Sequence, residues 1–122
     1  MSEYVLDTVI LADALLGVEQ AKRELLSRRR HWISRITWTE IMAGAGADDE
    51  GDTEDFLRFF SVIEVSEEIG RRAALIRAQQ KAINLPGAII WASAQTTGRI
   101  LVTRNTRDFP AKMPGIRVPY TL

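Results

Sequence analysis

The sequence predicts an α/β domain with a mostly parallel sheet of four or five strands, covered by helices on both faces. Three observations carry that expectation. Short apolar runs recur at Tyr4–Leu6, Trp32–Ile36, Val62–Val65 and Ile100–Val102, with one more in GIRVPY near the end. Segments with helical spacing of apolar residues separate them. YVL and ILV are apolar throughout rather than alternating, as strands buried on both faces are.

The elements follow in order. YVL (Tyr4 to Leu6) is a buried strand closed by Asp7 and Thr8. VILADALLG is a short helix that Gly17 stops, and Val18 to Arg30 is a second. Leu25 and Leu26 supply its apolar face, with Val18 and Ala21 behind them. Arg28, Arg29 and Arg30 complement the dipole at its end. Trp32 to Ile36 is a strand, and TWTEIMAGAG starts a helix with Thr37 or Thr39 as cap and Glu40 near the first turn. Residues 44 to 53 are glycine-rich and acidic, a loop before a helix from Thr53 to Phe60. Val62 to Val65 is a strand. Ser66 caps a long helix with an Ile69, Ala73, Ile76 and Ile83 stripe. Pro86 to Thr97 is a helix ended by Gly98, Ile100 to Val102 a strand, and Thr103 to Asp108 a polar turn. The tail holds an edge strand in GIRVPY.

The chain's 122 residues suit one domain spanning 1–122. Sixteen basic residues balance sixteen acidic ones, which argues against wholesale non-specific nucleic-acid binding but leaves room for a local basic patch. Without cysteine there is no disulfide, thiol catalysis or cysteine metal site. No apolar run approaches the roughly 20 residues of a membrane span. MSEYVLDTVI lacks the basic start of a signal peptide, so the expected location is the cytoplasm.

In such sheets a site lies at the carboxyl ends of the strands. Asp7 and Thr8 close the first strand, Glu40 follows the second, and Thr103, Asn105 and Asp108 follow the fourth. Clustered carboxylates stay ionised together only with a cation between them, and hard oxygen donors suit Mg²⁺ or Mn²⁺. Each acid also has a plainer role. Asp7 caps a helix, Glu40 answers a helix dipole, and Asp108 closes an Asx turn.

YVLDTVI, ITWTEIMAG, LPGAIIWASA and LVTRNTRDF occur in an order and spacing that resemble a PIN-domain protein, more narrowly a VapC-type toxin of a toxin–antitoxin pair. The similarity runs from about Tyr4 to Phe109. It implies a three-layer α/β/α sandwich and a Mg²⁺-dependent endoribonuclease, with Mn²⁺ as a possible substitute. The partners it implies are an RNA substrate, a VapB-type antitoxin and a second copy in a homodimer. Catalytic and metal-binding positions map to Asp7, Glu40 and Asp108. Thr8, Thr103 and Asn105 support them, and Arg35, Arg104 and Arg107 are placed for RNA or antitoxin. The family usually reads LPDA where this chain reads LPGA, so Gly87 stands at the third acid's position. Either a substitution has silenced the site, or the protein has lost catalysis and kept partner binding. Weak or absent cleavage is expected in both cases. An antitoxin arm is expected in a groove between the helices around Val18–Leu26 and Thr37–Ala43.

Other features are set aside. DDEGDTED (Asp48 to Asp55) lacks EF-hand spacing and reads as a solvated loop and helix start. RRRH (Arg28 to His31) reads as a helix end as readily as a phosphate contact. His31, the only histidine, has no catalytic companion, and the three tryptophans suit the core or an interface. A phospho-receiver domain has similar alternation, but no Asp follows the third strand.

Overall fold

The structure, a computed structural model, describes residues 3–27 and 30–122. Arg28 and Arg29, read from the sequence as a helix end, lie outside the described residues. Five strands form one fully parallel sheet in the order β3-β2-β1-β4-β5. They are β1 (Tyr4–Leu6), β2 (His31–Ser34), β3 (Ser61–Ile63), β4 (Ile100–Val102) and β5 (Ile116–Arg117). Among the described residues six α-helices cover it: α1 (Thr8–Leu15), α2 (Glu19–Leu25), α3 (Arg35–Gly44), α4 (Glu50–Leu57), α5 (Glu67–Gln79) and α6 (Leu85–Thr96).

Successive strand residues point to opposite faces, and that splits the core in two. Val5 and Leu101 face one side, where they pack with Ile90, Trp91 and Phe109 under α5 and α6. Tyr4, Leu6 and Val102 face the other, with Ile10, Leu11, Ile41 and Leu57 under α1, α3 and α4. The result is the expected three-layer sandwich, with β1 at its centre.

Several local expectations need correction. α2 ends at Leu25, and Leu26 is exposed rather than part of the apolar face. α3 starts at Arg35, because Ser34 accepts a hydrogen bond from the Ile36 N–H; Thr37 and Thr39 lie inside the helix. Glu40 therefore sits in the second turn, beyond the strongest pull of the dipole. α4 begins at Glu50 inside the acidic run, after a tight turn at Ala47–Asp49. Ile83 is buried but follows the end of α5. The Ser66 cap forms as expected, donated to by Ile69 N–H. Gly17 and Gly98 end their helices at φ +87° and +66°, which side chains resist.

The register fixes what leaves the sheet together. Leu6 lies opposite Val102, so Asp7 and Thr103 emerge side by side at the carboxyl edge. Phe109 anchors the segment after β4, fully buried with its ring edge-on to Trp91 at 5.7 Å. Phe109→Ala is expected to cost about 3–5 kcal/mol, read as a lower urea midpoint at unchanged m-value.

Candidate active site

Asp7 occupies the N-cap position of α1, yet its side chain makes no capping hydrogen bond. The plain capping role is therefore not what holds it. Its Oδ2 accepts the Thr103 hydroxyl at 2.7 Å, and that hydroxyl oxygen in turn accepts the Asn105 N–H at 2.9 Å. Asn105 Nδ2 donates to Asp108 Oδ2 at 3.1 Å. One relay thus links two of the three expected acids through both expected supporting residues of the β4 turn.

Glu40 reaches the same place from α3. Thr8 Oγ1 donates to its Oε1 at 2.7 Å and lies 3.0 Å from Thr37 Oγ1. Asp7, Thr8, Glu40, Asn84, Gly87, Asn105 and Asp108 all line one cavity of about 180 Å³. The fold brings the predicted carboxylates to one concavity. Among the described residues, however, no three acidic or imidazole side chains close into a ready-made metal cage.

Burial pushes the Asp7 carboxyl above the usual range, against the Thr103 and Thr8 hydrogen bonds, and the nearby Glu40 and Asp108 charges raise it further. Only 7% of Asp7 is exposed.

Gly87 is buried at the opening of α6, and its N–H donates to the Asn84 side chain at 2.9 Å. A Cβ there would stand 2.9 Å from Asn84 Oδ1, 3.3 Å from Ile83 Cγ2 and 3.4 Å from Phe109 Cζ. The tightest neighbour is the end of a side chain that can rotate, so a larger residue fits after a small shift of the cap. Asn84 is the functional neighbour that sequence reading missed. Its signal was an Asn just before a Leu-Pro helix start.

The three arginines part ways. Arg35 pairs with Glu64 at 2.5 Å and lies over the Trp38 ring. Arg104 turns away from the cavity to a bidentate pair with Asp13, at 2.5 and 2.9 Å. Arg107 is exposed and has no acidic partner among the described residues. His31 is buried beside Ser27 and Tyr4, away from the cavity.

A larger groove of about 650 Å³ adjoins the site and shares Thr8 and Glu40 with it. Ala12 and Leu15 of α1, with Leu16 just beyond its end, face Ile41 and Gly44 of α3 across it, with Asp49 and Asp52 at the rim. The expected groove is thus displaced: α1 and α4 line it with α3, and α2 does not.

A PIN-domain family model matches residues 4–112. The chain belongs to the PIN-domain family. It is similar to a chain of a toxin–antitoxin complex from Klebsiella pneumoniae, at 39% identity and TM-score 0.90, over 98% of this chain and 100% of that one. A DNA-bound VapBC structure from Salmonella typhimurium matches at 25% identity and TM-score 0.74, over 96% of each chain. FitAcB from Neisseria gonorrhoeae, at 22% identity and TM-score 0.78 over 98% of this chain and 99% of that one, shares the fold. No curated protein matches the chain. PIN-family membership displaces the phospho-receiver reading. No helix among the described residues is long and apolar enough to cross a membrane.

The raised Asp7 carboxyl gives this PIN domain a pH signature. The folded state holds the Asp7 proton more tightly than the unfolded chain, whose value is near 3.8. Metal-free stability therefore falls as pH rises from about 3.8 through the folded value. Asp7→Asn keeps an acceptor for Thr103 and removes the charge. In EDTA at pH 7 its Tm is expected to exceed that of the parent, and the gain should shrink on acidification; a lower Tm at pH 7 would contradict this.

Proposed function

We propose that this PIN domain is the toxin of a type II toxin–antitoxin pair, built as a Mg²⁺- or Mn²⁺-dependent endoribonuclease and weakened by Gly87. The single supporting observation is the relay Asp7–Thr103–Asn105–Asp108 facing Glu40 across one small cavity. The donor chemistry fits a divalent ion. The donors are hard oxygens, and a carboxylate raised chiefly by burial, and further by two neighbouring carboxylates, is what a cation would relieve. Asp7, Glu40 and Asp108 would hold one ion directly or through water, since they do not close into a cage. Bound there, such an ion lowers the pKa of a water and neutralises phosphoryl charge.

The chain's own residues do the rest. Thr103 and Thr8 fix the rotamers of Asp7 and Glu40. Asn105 holds Asp108 against the same cavity. Arg107 offers an unpaired cation for RNA phosphate beside it. Gly87 contributes no oxygen on the α6 wall, so a two-ion arrangement lacks its support. The catalytically silent partner-binding alternative rests on that same glycine.

For the partner, the groove beside the site supports an antitoxin arm. Its floor is apolar and its rim carries Glu40, Asp49 and Asp52, which favours an amphipathic segment with Lys or Arg. The relatives seen in toxin–antitoxin complexes favour the same partner. A homodimer belongs to the same reading, and sedimentation checks it.

The deciding experiment compares the chain with Gly87→Asp, both freed of partner, on mixed RNA with Mg²⁺ or Mn²⁺ and EDTA controls. Restoring the carboxylate is expected to raise cleavage roughly 10–100-fold. Stability should change little: losing a glycine in the helix gains up to about 1 kcal/mol, and a strained Asn84 cap loses about as much. Equal cleavage by both chains would refute the account of Gly87. Silence from both, with folding confirmed, would favour partner binding without catalysis.

A further inference from the structure

Arg104 carries a different role from the RNA or partner contact that its place in the sequence suggests. Its guanidinium is spent inside the molecule. Nε and Nη2 grip both carboxylate oxygens of Asp13, which is only 4% exposed on the inner side of α1. The Tyr120 hydroxyl donates to the same carboxylate at 2.8 Å, bringing the C-terminal tail onto the pair. These hydrogen bonds hold the Asp13 carboxyl below its usual range, so the pair stays charged.

The placement matters more than the pair. α1 starts one residue after Asp7, and Arg104 lies between Thr103, which bonds Asp7, and Asn105, which bonds Asp108. A rigid two-point fork between residue 104 and residue 13 therefore sets the β4 turn against the helix that follows Asp7. The turn's other end is fixed by Phe109, whose N–H donates to the Asn105 carbonyl at 3.0 Å. Without the fork, the Asn105 N–H and carbonyl would still tie the turn to Thr103 and Phe109, but the turn would lose its tie to α1 and be held less firmly at its distance from Asp7.

We infer that Arg104 is a positioning residue, clamped by Asp13 and Tyr120, which holds Asn105 and Asp108 at their distance from Asp7 without touching the substrate. The inference rests on the nuclease reading for its catalytic consequence, but not for its structural one. α1 also supplies Ala12 and Leu15 to the partner groove, so the clamp ties the groove wall to the acidic turn.

The test uses two readouts on Arg104→Met, Asp13→Asn and the double variant. The first is amide hydrogen exchange at Asn105 and Phe109, with the α6 amides as internal reference. The second is RNA cleavage with all substitutions placed in the Gly87→Asp background. Both single variants are expected to exchange faster at Asn105 and Phe109 while α6 is unchanged. Both should lower kcat roughly 10–100-fold with KM little altered. The double variant should be no worse than either single, because one interaction is being removed twice. Arg104→Lys keeps the charge but not the fork and should behave like Arg104→Met. Unchanged loop exchange, or an equal rise across loop and α6, would overturn the inference. So would a KM increase in Arg104→Met that Asp13→Asn lacks, which would mark a direct RNA contact. If the Gly87→Asp chain itself cleaves nothing, the nuclease reading fails and the exchange comparison alone decides the clamp.

Discussion

Asp7 ends the central strand with its carboxylate almost out of water, and burial disfavours its charged form. A protein does not keep such a group cheaply. Here the surrounding structure is organised to hold it in place rather than to neutralise it. Among the described residues no cation pairs with it and Thr103 alone reaches it through a side chain, and that hydroxyl is itself oriented by the Asn105 N–H. The parallel pairing of β1 and β4 brings Asp7 and Thr103 together. The arginines that might have satisfied the charge are committed elsewhere: Arg35 to Glu64, Arg104 to Asp13. An acid left without a counter-charge, facing Glu40 and Asp108 over a small cavity, is costly for stability and useful for binding a cation.

Much of this was legible in the residues. Each of the first four strands overlaps a short, largely apolar run, so its existence and its parallel setting are legible, while the ends of β2 and β3 lie one to two residues from where those runs place them. The carboxyl-edge rule then selected Asp7, Glu40, Asp108 and their hydroxyl companions. What escaped was decided by contacts between distant segments. Nothing local to TRNTRDF says that Arg104 turns to Asp13, ninety-one residues earlier in the chain. Ser34 was hidden as a cap because Thr37 and Thr39 compete for that role in sequence, and only the end of β2 decides between them. The helix start at Glu50, three residues before the Thr53 that the sequence suggests, is hidden because the glycine and aspartates of the acidic run are poor helix formers. Leu57, buried at the end of α4 among core residues of α1, α3 and the sheet, shows why the helix forms there.

The charge distribution also gains meaning in three dimensions. A neutral total conceals a sided surface. Asp49 and Asp52 rim the apolar groove, while Arg107 is exposed next in sequence to Asp108, which lines the cavity. An RNA strand and a cationic partner segment would thus favour different sides of the same concavity, meeting at Glu40, which lines both. A partner lying in the groove could then block the site through occupancy alone, without any change of fold.

The central claim is that the Asp7 cavity is a divalent-cation site missing one carboxylate. Calorimetric titration of the partner-free chain with Mn²⁺ tests it most directly. The account predicts one weakly bound ion per chain, with binding abolished by Asp7→Asn. Two bound ions, or binding that survives the loss of the Asp7 charge, would contradict it.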